Sequence, residues 1–159
     1  MADHDHIMTK KGYESLRAQL KKLKTTDRQE VIKEIAAAAA HGDLSENAEY
    51  DAAKEKQGFI EGKISDIERK LSQARVIDTS SLSADRVVFG VTVLLEDHSS
   101  GAEVRYQIVG IDEADVEAGK ISVGSPIARA LIGREEGDDV EVRAPGGVKH
   151  YSILEITCE

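Results

Sequence analysis

At 159 residues, with 40% hydrophobic and 32% charged content, the chain has room for one large or two small domains of a soluble protein. No apolar run approaches membrane-spanning length, Met1 to Met8 is too polar for a signal peptide, and the single Cys158 excludes a disulfide framework or a multi-cysteine zinc site. A net charge of −9 argues against free nucleic acid as the main ligand, because phosphate affinity comes largely from counterion release by cationic residues; a reducing cytoplasm is the expected compartment.

Met1 to Met8 reads as a polar tail, its His4 and His6 included, ahead of Thr9 as the N-cap of a first helix. Tyr13, Leu16, Leu20 and Leu23 then follow coiled-coil spacing, which slips to 4,4 through Asp27 and resumes at Val31, Ile35 and Ala38. The slip is a local stutter. A second arm keeps an unbroken 3,4 spacing through Tyr50, Ala53, Gln57, Ile60, Ile64, Ile67, Leu71 and Ala74. In an antiparallel pair, the position numbers of facing residues add to a nearly constant value. Leu16 with Leu71, Leu20 with Ile67 and Leu23 with Ile64 give 87, whereas Val31 with Gln57, Ile35 with Ala53 and Ala38 with Tyr50 give 88. A helical hairpin closing over residues 41 to 44 explains both series, and an arm of roughly 27 residues is about 40 Å long. Lys10, Lys11, Arg17, Lys21, Lys22, Lys24 and Arg28 gather toward its base, as on a solvated helix face.

The far end is acidic. No Lys or Arg occurs between Lys33 and Lys54, while Glu34, Asp43, Glu46, Glu49 and Asp51 all do. Asp43 and Glu46 have two readings. They form a capping box, in which Asp43 accepts from the N3 amide and Glu46 reaches back to the Asp43 amide; or they are a pair of carboxylates presented for chemistry. The alanines from Ala36 to Ala40 give good helix propensity and a thin tip.

After the serines at 80, 81 and 83 the period changes. Val87 to Leu95 and Val104 to Val109 read as strands, Ser125 caps a short helix with Pro126 at its first position and Gly133 at its end, and Val140 to Arg143 and Tyr151 to Ile156 are strands joined through Pro145, Gly146 and Gly147. The expected organisation is therefore an N-terminal antiparallel coiled-coil hairpin, residues 1–80, and a small C-terminal α+β domain, residues 81–159. Charge divides unevenly between them: 14 basic against 15 acidic residues in the first, 7 against 15 in the second. With only Phe89, Tyr106 and Tyr151 as aromatic residues, the second is poorly suited to an aromatic-lined ligand pocket.

The stretch His41-Gly42-Asp43-Leu44-Ser45-Glu46-Asn47-Ala48-Glu49-Tyr50, with Gln57-Gly58-Phe59, resembles the tip of bacterial transcript cleavage factors of the GreA and GreB type. Ile121-Ser122-Val123 and the run from Ser125 to Gly133 resemble the C-terminal signature of the same family. The GreA branch fits better, because GreB members usually carry a larger basic patch toward the tip. The resemblance implies a C-terminal domain like FKBP-type prolyl isomerases, and RNA polymerase as partner. It further implies entry of the hairpin into the secondary channel and cleavage of the RNA 3′ end in backtracked complexes, promoted by the tip carboxylates. On it, Asp43 and Glu46 are the catalytic pair, and Ser45, Asn47, Tyr50, Lys54, Ser125 and Pro126 contact RNA or polymerase. Two positions depart from the pattern. Ala39 stands where relatives often have Arg, although Lys54 matches a second basic position, and Gln29 stands where many have Pro.

The chemistry of phosphodiester hydrolysis leads the same way. It needs a nucleophile made from water and stabilisation of charge on the phosphate, which two Mg²⁺ ions about 4 Å apart provide. Mg²⁺ takes one or two carboxylates from a protein and keeps several waters. Asp43 and Glu46 supply two ligands and no second ligand cluster follows in the chain, so the tip is half an active site. The other half is expected from a polymerase that holds its own Mg²⁺. Either carboxylate is also a candidate to orient or deprotonate the attacking water. Two other readings stand beside this one: a channel-binding polymerase inhibitor of the same shape, and a prolyl isomerase or chaperone with a coiled-coil arm.

Overall fold

The structure, a computed structural model, describes residues 6–41 and 47–158. Its contacts divide the chain into two units: one is Tyr13–Gln73, and the other joins the chain on either side of it, through Gly12 and from Ala74 onward. Strand β1 (Ile7–Thr9) lies parallel to β2 (Arg75–Ile77), so the segments flanking the hairpin pair with each other. The polar tail expected through Met8 therefore stops short of Ile7. Met8 is buried and Ile7 packs on the core of the C-terminal sheet. Three-residue strands are too short to display an alternation, which is why the sequence hid them.

The first arm of the hairpin runs as α1 (Lys10–Lys22), a π-helical turn (Leu23–Asp27) and α2 (Arg28–Ala39); the second is α3 (Ala48–Gln73). Leu23, Val31, Ile60, Ile64 and Ile67 are buried between the arms, with Leu16, Leu20 and Leu71 packed on them. Each such burial contributes about 1.5–3 kcal/mol before ordering entropy is set against it. The seam is thus the predicted one. The π turn is the stutter made physical: the Arg28 N–H bonds the Leu23 carbonyl five residues back, taking up one extra residue. One residue inserted in one arm is what moves the facing sum from 87 to 88. Thr25 Oγ1 donates to the Lys21 carbonyl at 2.7 Å within the same stretch, a back-bond that favours local bending.

Ion pairs join the arms on the outside. Arg28 grips Glu61 with two parallel bonds of 2.8 Å, from Nε and Nη2, while Lys24 meets Glu68 at 2.8 Å and Lys56 meets Glu34 at 2.9 Å. The hydrogen bonds from Arg28 hold the Glu61 carboxyl below its ordinary range. Exposed pairs of this kind add little to stability, but the forked geometry fixes register.

In the other unit, β3 (Thr92–Asp97), β4 (Glu103–Val109), β5 (Lys120–Ser122), β6 (Asp139–Ala144) and β7 (Gly147–Thr157) form one sheet in the order β5-β4-β3-β7-β6. Its pairings are antiparallel except β4 with β5. Helix α4 (Pro126–Leu131) puts Ala128 and Leu131 into the core beside Val93, Leu95, Ile108, Val140 and Ile153. This is the small α+β domain expected. Two details differ from the sequence reading. The strand expected from Val87 starts only at Thr92, because Gly90 turns the chain with φ +93° and Val87 bonds residues 133 and 134 instead. Val87 and Val91 enter the core without belonging to a strand, while Val88 is exposed. The turn after β6 closes more tightly than expected, with Ala144 opposite Gly147 across Pro145 and Gly146.

Glu113 ties β1 to this unit. Its Oε2 accepts the N–H groups of Thr9 at 2.9 Å and Gly110 at 2.8 Å, and its Oε1 accepts the Thr9 hydroxyl. That hydroxyl in turn accepts the Gly12 N–H at 3.0 Å, which makes Thr9 the expected N-cap of α1. A Cβ at Gly12 would collide with the Glu113 carboxylate, so the close approach requires glycine there.

Candidate functional site

Asp43, Ser45 and Glu46 lie outside the described residues, between the end of α2 and the start of α3. The frame on either side of them is described. Asn47 Oδ1 accepts the Tyr50 N–H at 3.1 Å, three residues on, which makes Asn47 the N-cap of α3. Its Nδ2 donates at 2.6 Å to the Ala38 carbonyl near the end of α2, which also accepts the His41 N–H at 3.2 Å. Only one orientation of the amide serves both bonds. The capping-box reading of Asp43 and Glu46 lies outside the described residues; within them α3 begins at Ala48, and its cap is Asn47.

Glu49 and Asp51 occupy the first turn of α3, where negative charge favours the helix dipole. Below them Ala37 and Ala38 of α2 face Ala52 and Ala53 of α3, and with Glu34, Glu49 and Lys56 they line an open groove of about 410 Å³. Small side chains on both arms keep this end of the hairpin slender, and Lys56 neutralises Glu34 there. Tyr50 is half-buried at the last seam level. The exposed Lys54 donates to Gln57 Oε1 at 3.2 Å. The sequence-predicted residues Asn47, Tyr50 and Lys54 therefore sit together at the head of α3, with Asn47 holding the two arms in place.

Ser125 and Pro126 belong to the other unit. Ser125 Oγ accepts the Ala128 N–H at 3.3 Å and donates to the Ser122 carbonyl at 2.7 Å, so it caps α4, and Pro126 is exposed at the first position of that helix. Pro126 and Ile127 face Val142, Ala144, Lys149 and Tyr151 across a mostly apolar cavity of about 260 Å³. Burial pushes the Tyr151 hydroxyl up from its ordinary pKa. Among the described residues no three His, Cys, Asp or Glu side chains are gathered to hold a metal, and no helix is long and apolar enough to cross a membrane.

The described residues define a class of architecture: a long antiparallel helical hairpin in a chain that also forms a small α+β domain. The family description "Transcription elongation factor, N-terminal" matches residues 6–76, and "Transcription elongation factor, GreA/GreB, C-term" matches residues 82–158. The chain is 59% identical over 150 residues to transcription elongation factor GreA of Neisseria meningitidis serogroup A, covering 94% of this chain and 95% of that one. It is 61% identical over 150 residues, with the same coverage, to the GreA of Thioalkalivibrio sulfidiphilus. Among solved structures, GreA factor homolog 1 (Gfh1) of Thermus thermophilus is 31% identical over 96% of this chain and 98% of that one, with a TM-score of 0.44. The chain belongs to the GreA/GreB family of transcription elongation factors.

Proposed function

We propose that the hairpin enters the secondary channel of RNA polymerase and presents Asp43 and Glu46 to the RNA 3′ end of backtracked complexes. There they promote endonucleolytic cleavage so that elongation resumes. The observation that carries this reading is the cap. Because Asn47 caps the start of α3 and ties it to α2, α3 has its cap without Asp43. Membership of the elongation-factor family supports it from outside the geometry.

Two carboxylates three residues apart are a hard-oxygen donor set that fits Mg²⁺, and Asp43 and Glu46 would hold an ion shared with the polymerase, which supplies charge neutralisation at the phosphate. The carboxylates also accept a proton from, or orient, the attacking water. Lys54, near the head of α3, contributes positive charge toward the RNA, and Tyr50 fixes the last seam level. The α+β domain anchors the factor on the rim of the polymerase through the exposed start of α4 at Ser125 and Pro126. The protein acts as an accessory: it stimulates the ribonuclease activity of the polymerase and has none alone.

Cleavage assays on stalled, backtracked elongation complexes test this. Asp43→Asn with Glu46→Gln keeps the size and polarity of the tip but removes its charge. Cleavage is expected to fall by orders of magnitude while the variant still competes with the parent protein for polymerase. A double variant that cleaves at the parental rate would sink the proposal.

A further inference from the structure

The outer surface of α3 carries an apolar feature that neither the seam nor the tip uses. Phe59 is 66% exposed, whereas every other Phe and Tyr of the chain is at least partly buried. It precedes the buried seam residue Ile60 by one position, about 100° around the helix, and so faces away from the opposite arm. Gly62 is its neighbour at i+3, and Gly58 is one turn before Gly62; both are exposed, and the three residues form one continuous patch. Glu55 and Lys63, one turn to either side of Phe59, ring it with charge.

The glycines need a reason as much as the phenylalanine does. Glycine is the least favourable residue in a helix interior after proline, and α3 holds two of them one turn apart. A common reason is close approach by another body, which a side chain would block. The hairpin itself makes no such approach: among the described residues, a Cβ at Gly58 or Gly62 would meet nothing within 4 Å. The patch is thus a knob beside a hollow, and this chain fills neither requirement.

We propose that Gly58, Phe59 and Gly62 are a docking point for the wall of the polymerase secondary channel, a contact that rests on the reading that the hairpin enters that channel. The Phe59 ring seats in an aliphatic pocket of the wall, and a ridge of the wall lies against the bare backbone of the glycines. Two observations favour the wall over a second copy of this chain. Phe59 lies only about 17 Å along α3 from its first residue, Ala48, close behind the end that must enter. The patch is also too small to hold two copies together, since one ring and two glycines fall far short of the roughly 800 Å² per partner of a specific interface. As one contact within a larger interface, a buried aromatic ring is the kind of side chain that carries binding energy. Phe59 is then a positioning residue, which seats the hairpin and does not touch the reacting atoms.

The test uses the full chain and RNA polymerase elongation complexes, with labelled parent protein displaced by each variant, so that binding is read whether or not the tip cleaves. Phe59→Ser is expected to weaken competition about 30-fold, the loss typical of an aromatic anchor, and Phe59→Leu much less. Gly58→Ala with Gly62→Ala should raise Tm, because alanine is the better helix former, and yet weaken competition about tenfold by filling the hollow. Opposite movement of stability and affinity is what a purely structural role cannot produce. In cleavage assays the concentration for half-maximal rate should rise for both variants while the saturated rate changes little. The proposal is overturned if either variant competes as the parent does, or if sedimentation finds a parent dimer that Phe59→Ser dissolves, which would assign the patch to self-association. A parent that binds polymerase without cleaving would end the role of Asp43 and Glu46 and leave this contact standing, whereas a parent that does not bind polymerase would end both.

Discussion

Asn47 uses both ends of one amide: its oxygen starts α3 and its nitrogen holds the last turn of α2. Asn47→Ala should lower hairpin stability by about 1–2 kcal/mol, the usual cost of a lost cap with a hydrogen bond added. Asn47→Asp keeps the acceptor and loses the donor to Ala38, and should fall between. Urea denaturation followed by circular dichroism checks the order; equal stabilities for all three would remove Asn47 from the role. Asp43→Asn should leave the same transition unmoved. At the root of α1 the constraint is steric. Gly12→Ala should cost about 1–3 kcal/mol by overpacking against Glu113, and clearly less in a Glu113→Ala background, because the two residues are in contact. Additive effects in that double-mutant cycle would show that the clash is relieved some other way. Asn47 also marks a limit of sequence reading. Asp43, Asn47 and Ser45 are all good N-caps, and only the tie to Ala38, nine residues back along the chain, selects among them.

At the scale of elements, the π turn offers the sharpest test. Deleting Thr26 should let α1 and α2 run on as one α-helix with every facing pair at a single constant sum, so the hairpin should remain folded with an equal or higher Tm. Deleting Lys33 instead turns Ile35 and Ala38 out of the seam and should destabilise it. If both deletions are equally harmful, the extra residue at Leu23–Asp27 is not what reconciles the two halves of the arm. The Arg28–Glu61 clamp predicts a pH dependence. The Glu61 carboxyl is held below its ordinary range, so its contribution is present above that range and is lost as pH falls through the lowered value. Acid unfolding of Glu61→Gln should therefore be flatter than that of the parent. The elements that were legible in the sequence were the long, periodic ones: both arms, their antiparallel pairing and the seam. The 4,4 slip at Asp27 was visible as an irregularity, although whether a stutter unwinds the coil or swells into a π turn depends on packing against α3. Ser125 with Pro126 was legible because cap chemistry is local. β5, at three residues, and the segment from Val87 were not: the first is too short to show an alternation, and the second sends Val87 and Val91 into the core without pairing as a strand.

For the whole molecule, the two units differ in charge and in the work proposed for them. A fragment limited to Tyr13–Gln73 keeps the seam and tip but lacks the anchoring domain. It should retain some cleavage activity and need a higher concentration to reach it; an unchanged concentration dependence would contradict anchoring by the α+β unit. Ending the chain near Ser80 is a poorer experiment. β1 and β2 would then lose Glu113 and the core on which Ile7 packs. The sequence suggested that cut because composition changes at the serines, whereas the contacts change at the hairpin's own ends.

The pairing of β1 with β2 has a kinetic consequence. The strand partners Ile7 and Arg75, and the bond between Thr9 and Glu113 across 104 positions, would be slow to find each other in an open chain, since long loops cost closure entropy before their contacts form. The hairpin changes this distance. Once Leu16 meets Leu71, residues on either side of the coil become neighbours, and a remote encounter turns into a local one. The coil should therefore act as a zipper that gathers the ends of a discontinuous domain, and weakening its lower seam should slow the appearance of the β-sheet even where its final stability is little changed.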